Sequence, residues 1–383
     1  MTPFDFPAPL DTPELHALRL KVRAFLADYL KDEPRARRPF TYLGRHDPAF
    51  SAALGRQGWI GMSLPRAYGG RDASVLERYV VYEELLAARA PMGAHSVSER
   101  QSGPLIARIG TEAQKRLILP RIVAGECFFC IGMSEPDSGS DLASVRTRAR
   151  RVEGGWRIDG RKIWTSSAHR SHYMILLCRS GDRGEDRHAG LSQFLVDMKT
   201  PGVHCRPLSN MAGEVDFNEV VFDNAFIPDD MLLGQEGAGW RQVTGELALE
   251  RSGPERFLSG LGVLEALVGR MQVAPSDVAV VAAGRMLAHL GVLRRMSRSI
   301  ATLLEQGHEP ALQAAVVKDL GTVFEQQTAD LLRLVTELEP DVTSGDDYVA
   351  ALAETLLRSP SCTIRGGTKE VLRGIIARGI GLR

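Results

Sequence analysis

The chain has 383 residues in which 47 Lys+Arg balance 47 Asp+Glu, so it carries no basic excess and no nucleic-acid partner is expected. Hydrophobic residues make up 44% and charged residues 25%, a globular balance spread over enough chain for about two or three packed domains. No run reaches the ~20 apolar residues of a membrane helix, and MTPFDFPAPLDTPELHALRL lacks the basic start and apolar stretch of a secretory signal. Neither membrane insertion nor export is expected. The five cysteines are few and odd in number, which fits a reducing cytoplasm. Cys127 and Cys130 show C-x-x-C spacing, but on a strand residues three apart point to opposite faces, a poor metal clip. They read as buried thiols, and no metal is expected.

From residue 12 to about 125 the pattern is helical. Thr12-Pro13 supplies an N-cap followed by proline at the first helical position, and ELHALRLKVRAFLADYL repeats apolar residues at three- and four-residue spacing. SVLERYVVYEELLAARA and TEAQKRLILPRIVAG continue it, with breaks expected at Gly69-Gly70 and at Pro120. Between about 127 and 230 the period changes to short β-rich segments: CFFCIGM, RTRARRV, GWRID, RKIWTS, SHYMILLCR, LSQFLVDM and DFNEVVFDNAFI. Gly154-Gly155 and Asp159-Gly160 read as hairpin turns, and the spacing predicts a small antiparallel barrel or sandwich. From Gly239 onward the chain is helical again, through WRQVTGELALERSG and after Ser276-Asp277 and Glu309-Pro310. No strand followed by G-x-G-x-x-G opens a helix, so a Rossmann nucleotide site is not expected.

The chemistry-bearing stretch is Met133-Ser-Glu-Pro-Asp-Ser-Gly-Ser-Asp141, directly after a strand. Small and hydroxyl residues around Gly139 either form a plain polar turn or expose backbone N–H groups that cradle an anion or an electron-rich ring edge. Lys162-Ile-Trp-Thr-Ser-Ser-Ala168 and Phe217-Asn-Glu-Val-Val-Phe-Asp223 follow. Together with GTEAQKRLILPRIVAGE upstream and FNEVVFDNAFIPDDMLLGQEGAGW downstream, these motifs resemble the acyl-CoA dehydrogenase family over essentially the whole chain, in the family's order.

The resemblance implies an α+β multidomain fold: an N-terminal helical domain (1–126), a central β-barrel or sandwich (127–232) and a C-terminal four-helix bundle (233–383). It implies FAD as cofactor and α,β-dehydrogenation of an acyl-CoA thioester, with a carboxylate taking the α-proton while the β-hydride goes to flavin N5. Residue by residue, Ser134 would bond the pyrimidine end of the flavin, Ile131, Met133 and Gly139 would line the same edge, and Ser140 would contact acyl-CoA. Trp164 would cover the ring, with Thr165 and Ser166 beside N5. Neutral donors of this kind stabilise charge on a reduced flavin without competing as nucleophiles. A tryptophan such as Trp164 is also commonly plain core.

Many family members carry the base near the C-terminus, before a Gly-Thr pair; here that position is Gly366, in Cys362-Thr-Ile-Arg-Gly-Gly-Thr-Lys-Glu370. A minority, isovaleryl-CoA dehydrogenase among them, supply the Glu from the first helix of the C-terminal domain, in an E-R pair. Leu247-Ala-Leu-Glu-Arg251 matches, which makes Glu250 the base and Arg251 a substrate-side neighbour; a solvated helix residue is the plainer reading of Glu250. The Gly366 backbone N–H would still face the thioester oxygen, and Thr368 and Glu370 match positions near the FAD adenosine.

Two family features, R-x-x-F-G after that helix and a Q-x-x-G-G-x-G segment, are missing. The ending LLRSPSCTIRGGTKEVLRGIIARGIGLR resembles a bacterial subfamily that takes bulky, branched or cyclic acyl groups, some of whose members are heterotetramers. A homodimer or homotetramer and a heterotetramer with a related subunit both stay open. An electron-transfer flavoprotein is the implied electron acceptor. The alternatives are a non-catalytic partner subunit and a relative with oxidase or desulfinase chemistry. Ser96 to Gly103, which the family uses in its acyl pocket, reads here as a polar, solvated loop containing Glu99 and Arg100.

Overall fold

The computed structural model describes residues 4–33, 45–182, 184–249 and 251–382, with backbone alone for 245–249. The chain divides into two compact units: residues 1–45, 74–91 and 248–383 form one, and residues 46–73 and 92–247 the other.

In the first unit side-chain caps set the helices, the one expected at Thr12 among them. Thr12 accepts from the Leu15 N–H ahead of α1 (Pro13–Tyr29), and Ser74 with Glu77 forms a reciprocal capping box on α3 (Val75–Ala87). The C-terminal helices of this unit are α7 (Leu261–Val273), α8 (Asp277–Glu305), α9 (Ala311–Leu334), α10 (Asp347–Arg358) and α11 (Lys369–Gly379). Ser276 caps α8 as its spacing predicts, accepting from the Ala279 N–H. Phe257, Leu264, Leu267, Met286, Leu293, Leu332, Tyr348 and Leu352 make the core of this bundle. Buried polar groups run through it as well: the Glu83 carboxylate takes a two-pronged pair from Arg294 at 2.8 and 3.0 Å, and Tyr79 donates to Ser297 at 3.1 Å.

The second unit holds α2 (Pro48–Gln57), α4 (Gly103–Ile109), α5 (Glu112–Val123) and α6 (Gly239–Leu249) around a sheet of β1 (Phe129–Gly132), β2 (Arg148–Val152), β3 (Gly155–Lys162), β4 (Tyr173–Arg179), β5 (Leu191–Asp197), β6 (Val203–Leu208), β7 (Phe217–Pro228) and β8 (Leu232–Leu233). Its order is β6-β7-β3-β2-β4-β5-β8, with β1 beside β4. The sheet is mixed where an antiparallel one is expected from the segment spacing, because β4 runs parallel to both β1 and β2. Trp156, Ile158, Met174, Leu176, Phe194, Val196, Val220 and Phe222 alternate inward to form its core.

Three local readings change. Pro120 lies inside α5 and does not break it; the helix ends three residues later, so the lost N–H is one of its last. Asp159-Gly160 is not a hairpin either. GWRID and RKIWTS join into one strand, β3, and the register shifts between Ile158 and Gly160 as at a bulge. Gly160 has φ +146, and a Cβ there would lie 2.6 Å from Thr147 Cα. Gly154, at φ +71, makes the true turn between β2 and β3. In α6, the helix expected to run on to Gly253 has given way to a turn by Arg251.

Candidate functional site

In the second unit, β1 delivers the chain to Met133 and Ser134, both partly buried. The turn beyond them closes on itself through paired backbone bonds between Glu135 and Ser138, at 2.8 and 3.0 Å, and Ser138 Oγ donates to Asp141 O at 2.7 Å. Gly139 and Ser140 stand exposed at its rim, and an added Cβ at Gly139 would meet nothing within 4 Å. Ile131, the other predicted residue of this edge, sits partly buried in β1.

What fixes this turn was not singled out from the sequence. Lys162, fully buried at the end of β3, donates to the Glu135 carboxylate at 2.8 Å and to Met133 O at 2.9 Å. The same carboxylate accepts from the Arg146 N–H at 2.6 Å and the Thr147 N–H at 2.9 Å, so one buried ion joins three segments. Burial pushes the Glu135 carboxyl up, but Lys162 and these N–H donors outweigh it and hold it below the ordinary value. For Lys162, burial pulls the ammonium below the usual lysine range against the opposing pull of Glu135. The four donated bonds around this pair suit an acceptor-only carboxylate facing an ammonium.

The Trp164–Ser166 segment is held from both sides. The Ile163 N–H donates to Ser134 O at 2.9 Å, and the Thr165 N–H to Asn218 O at 3.1 Å. Asn218, fully buried in β7, returns a bond to Thr165 O at 2.9 Å. Trp164 adopts φ +58, an unusual conformation for a bulky side chain, and is 61% exposed with Phe217 edge-on at 5.9 Å. It is therefore not core. Thr165 Oγ1 is buried with no hydrogen-bond partner among the described residues, although such groups are rarely left unsatisfied. Ser166 is partly buried beside it.

The stretch 96–103 corrects the solvated-loop reading. Ser96, Ser98, Glu99 and Ser102 are buried, residues 98–102 make a π-helical turn, and Ser98 Oγ accepts from the Phe129 N–H at 2.9 Å. The sequence signal was polarity alone, which does not separate a wet loop from a buried, hydrogen-bonded one.

The remaining predicted residues lie in the first unit. Gly366 and Gly367 take φ +67 and +99. Thr368 caps α11, accepting from the Val371 N–H at 3.3 Å. Glu370 is exposed in the first turn, its carboxyl held below the ordinary value by its own backbone N–H and by the Thr368 hydroxyl. Arg251 is partly buried in the turn after α6. Glu250, the residue read as the base, lies outside the described residues. Beneath the Gly366 stretch sits a second buried charge cluster that sequence reasoning missed. Arg365 donates to both Glu325 oxygens at 2.8 Å, and Lys318 Nζ bonds Thr322 Oγ1 at 2.5 Å and Cys362 O at 3.0 Å. Burial, followed by the charges of Arg256 and Arg365, brings Lys318 down to about 7. All five cysteines are free, and no His/Cys/Asp/Glu group among the described residues is arranged to hold a metal. No helix among them is long and apolar enough to cross a membrane.

Comparison with known proteins gives three matching family models: acyl-CoA dehydrogenase N-terminal domain over residues 12–126, middle domain over 130–225 and C-terminal domain over 272–381. The acyl-CoA dehydrogenase IpdE1 of Mycobacterium tuberculosis is 34% identical over 95% of this chain and 96% of its own length. FadE34 of the same organism is also 34% identical, over 96% of this chain, which spans about half (49%) of that longer relative. Among solved structures, the Tcur3481-Tcur3483 steroid ACAD superposes with TM-score 0.86 at 27% identity, covering 98% of this chain and 99% of its own. The ChsE4-ChsE5 complex from Mycobacterium tuberculosis does so with TM-score 0.83 at 28%, covering 98% and 99%.

Proposed function

This chain belongs to the acyl-CoA dehydrogenase family of flavoprotein oxidoreductases, and from that premise we propose that it removes the α-proton and β-hydride of an acyl-CoA thioester with FAD as cofactor. The observation that carries the cofactor reading is the orphaned, buried Thr165 hydroxyl beside an exposed Trp164 at positive φ, on a segment pinned from two sides. A buried hydroxyl without a partner and an aromatic face in solvent suit a planar group with its own acceptors.

Ser134, Thr165, Ser166, Gly139 and the backbone at Ile131 and Met133 would hold the ring, with Trp164 over it and Thr368 and Glu370 toward the adenosine end. The bound flavin supplies the hydride acceptor. Glu250 takes the α-proton; as a base it requires an apolar setting that lifts its carboxyl toward neutrality. Gly366 offers its N–H to the thioester oxygen as charge develops there, and Ser140 and Arg251 bind acyl-CoA. The redox partner is an electron-transfer flavoprotein, the location is the cytoplasm, and the helical, β and helical domains divide near residues 126 and 232.

The acyl group is a bulky ring system, a reading supported by the likeness to the steroid ACAD. An oligomer is supported by α8, where Val278, Val281 and Val292 fall on one face of the helix and are each at least 56% exposed. A second reading, a subunit of a heteromeric enzyme, is favoured by the likeness to the ChsE4-ChsE5 complex.

The deciding experiment is an anaerobic absorption titration of the purified chain with straight, branched and polycyclic acyl-CoAs. Bleaching of the oxidised flavin band by the polycyclic thioesters alone is the expected result. A colourless chain that takes up FAD only with a second subunit supports the heteromeric reading. A yellow chain that no thioester bleaches would refute the dehydrogenase reading.

A further inference from the structure

Arg256 is among the largest side chains with no solvent exposure, and it ends a short 3-10 turn at Pro254–Arg256 in the first unit. Its neighbour Glu255 is also buried, with Oε1 3.6 Å from Arg256 Nε. Two glycines mark how closely the rest of the unit approaches it. A Cβ on Gly321 of α9 would lie 2.4 Å from Arg256 O, and a Cβ on Gly366 would lie 2.8 Å from Nη2 and 3.1 Å from Cζ and Nη1. The guanidinium therefore occupies the volume into which a side chain at residue 366 would project.

The stretch that carries Gly366 has little freedom to yield. Lys318 grips Cys362 O, Arg365 is forked onto Glu325, and Thr368 caps α11. With both ends fixed, contact with a rigid planar group sets where the Gly366 backbone lies. The tightness is also of the costly kind: the clashing atoms belong to a fully buried side chain already engaged with Glu255, not to a loose end at the surface.

We propose that Arg256 is a positioning residue of the dehydrogenation site: its guanidinium takes the place of a side chain at position 366 and thereby fixes the Gly366 N–H. The inference rests on the reading of the site given above, and it supplies a physical reason why this stretch carries no carboxylate and the base must come from elsewhere.

The test introduces Gly366→Ala into the native chain and into an Arg256→Lys background, where a flexible ammonium keeps the charge beside Glu255 but vacates the planar fork. Thermal midpoint and the rate of flavin bleaching by a reactive acyl-CoA are read for all four proteins. In the native chain, Gly366→Ala is expected to slow bleaching at least about 50-fold with the half-saturating thioester concentration within about twofold. In the Arg256→Lys background the same change is expected to cost about fivefold at most, the remainder due to the positive φ. The fall in midpoint should shrink in the same direction. Equal losses in both backgrounds, by midpoint, overturn the packing claim; coupling in the midpoint but not in the rate overturns the positioning role. If Gly366→Ala accumulates as folded protein only with Arg256→Lys, the packing claim stands, and if it folds in neither, it falls. Bleaching absent from every protein, native included, sinks the dehydrogenase reading and the positioning role with it, while the midpoints still decide the packing.

Discussion

Replacing Lys162 by Met removes one ammonium and little else, because the two side chains are similar in length. The Glu135 carboxylate, 8% exposed, then keeps its bonds from Arg146 N and Thr147 N but loses its counter-ion. Breaking a buried pair from one side costs about 3–5 kcal/mol, and the two surviving N–H bonds place this case near the lower end, about 3 kcal/mol. Loss of the donor to Met133 O adds about 1 kcal/mol. Urea unfolding followed by tryptophan fluorescence measures this directly, since Trp59, Trp156, Trp164 and Trp240, the chain's four tryptophans, all lie in the second unit. The pH dependence supplies an independent check. Glu135 titrates below its ordinary value in the folded chain, so the stability it contributes is present above the unfolded carboxyl value of 4.5 and is lost as pH falls through the lowered one. Without Lys162 that depression should vanish, and the variant's deficit should shrink toward pH 4. A Lys162→Met protein unfolding within about 0.5 kcal/mol of native near pH 7 would refute the reasoning, because so small a loss belongs to an exposed pair.

Lys318 makes the opposite case. Its folded value is about 7 against the ordinary 10.5, so between those values protons bind only the unfolded chain, and stability falls as pH drops from 10.5 to about 7, then levels off. Lys318→Met should remove that slope and raise the thermal midpoint at pH 7; midpoints that track native at both pH 7 and pH 9 would contradict this. Glu250→Gln should abolish flavin bleaching while leaving FAD content and acyl-CoA binding within about threefold, and retained turnover removes Glu250 from the mechanism. Gly160→Val, at φ +146 and with a Cβ 2.6 Å from Thr147 Cα, should destabilise by about 3 kcal/mol or more in urea. A midpoint equal to native would show that the bulge relaxes freely.

Much of the helical architecture was legible because its signals are local. Thr12-Pro13, Ser74 and Ser276 announce helix starts within three residues of the bonds they make, and the continuous apolar run of β4 and the alternation of β7 are likewise written in neighbouring residues. The misreadings come from local signals overruled at longer range. Asp159-Gly160 has hairpin chemistry, yet pairing of β3 with β7 on both sides of it turns the glycine into a bulge. β6 was passed over because VHCRPL buries almost nothing and is held by its bonds to β7.

The site divides along the same line. The residues proposed for the flavin and acyl-CoA, Ser134, Gly139, Ser140, Trp164 and Ser166, belong to motifs visible in the sequence, and none of them is fully buried. The groups that hold the Met133–Ser134 turn in one unit and the Gly366 stretch in the other are charged side chains read by default as solvent-facing: Lys162 with Glu135, 27 residues apart, for the first, and Arg365 with Glu325 and Arg256 against Gly366 for the second. Nothing in a sequence marks a lysine as buried until its carboxylate is known, and the partner is set by sheet register or helix packing. Burying such ions is expensive unless every prong is satisfied, and hydrophobic replacements often do no worse for stability alone. Their placement under the Met133–Ser134 turn and under the Gly366 stretch is therefore better explained by position than by stability. An apolar core tolerates small shifts, whereas a carboxylate bonded at once to two backbone N–H groups and an ammonium does not, and a shift of about 1 Å at a reacting centre is enough to cost a large factor in rate.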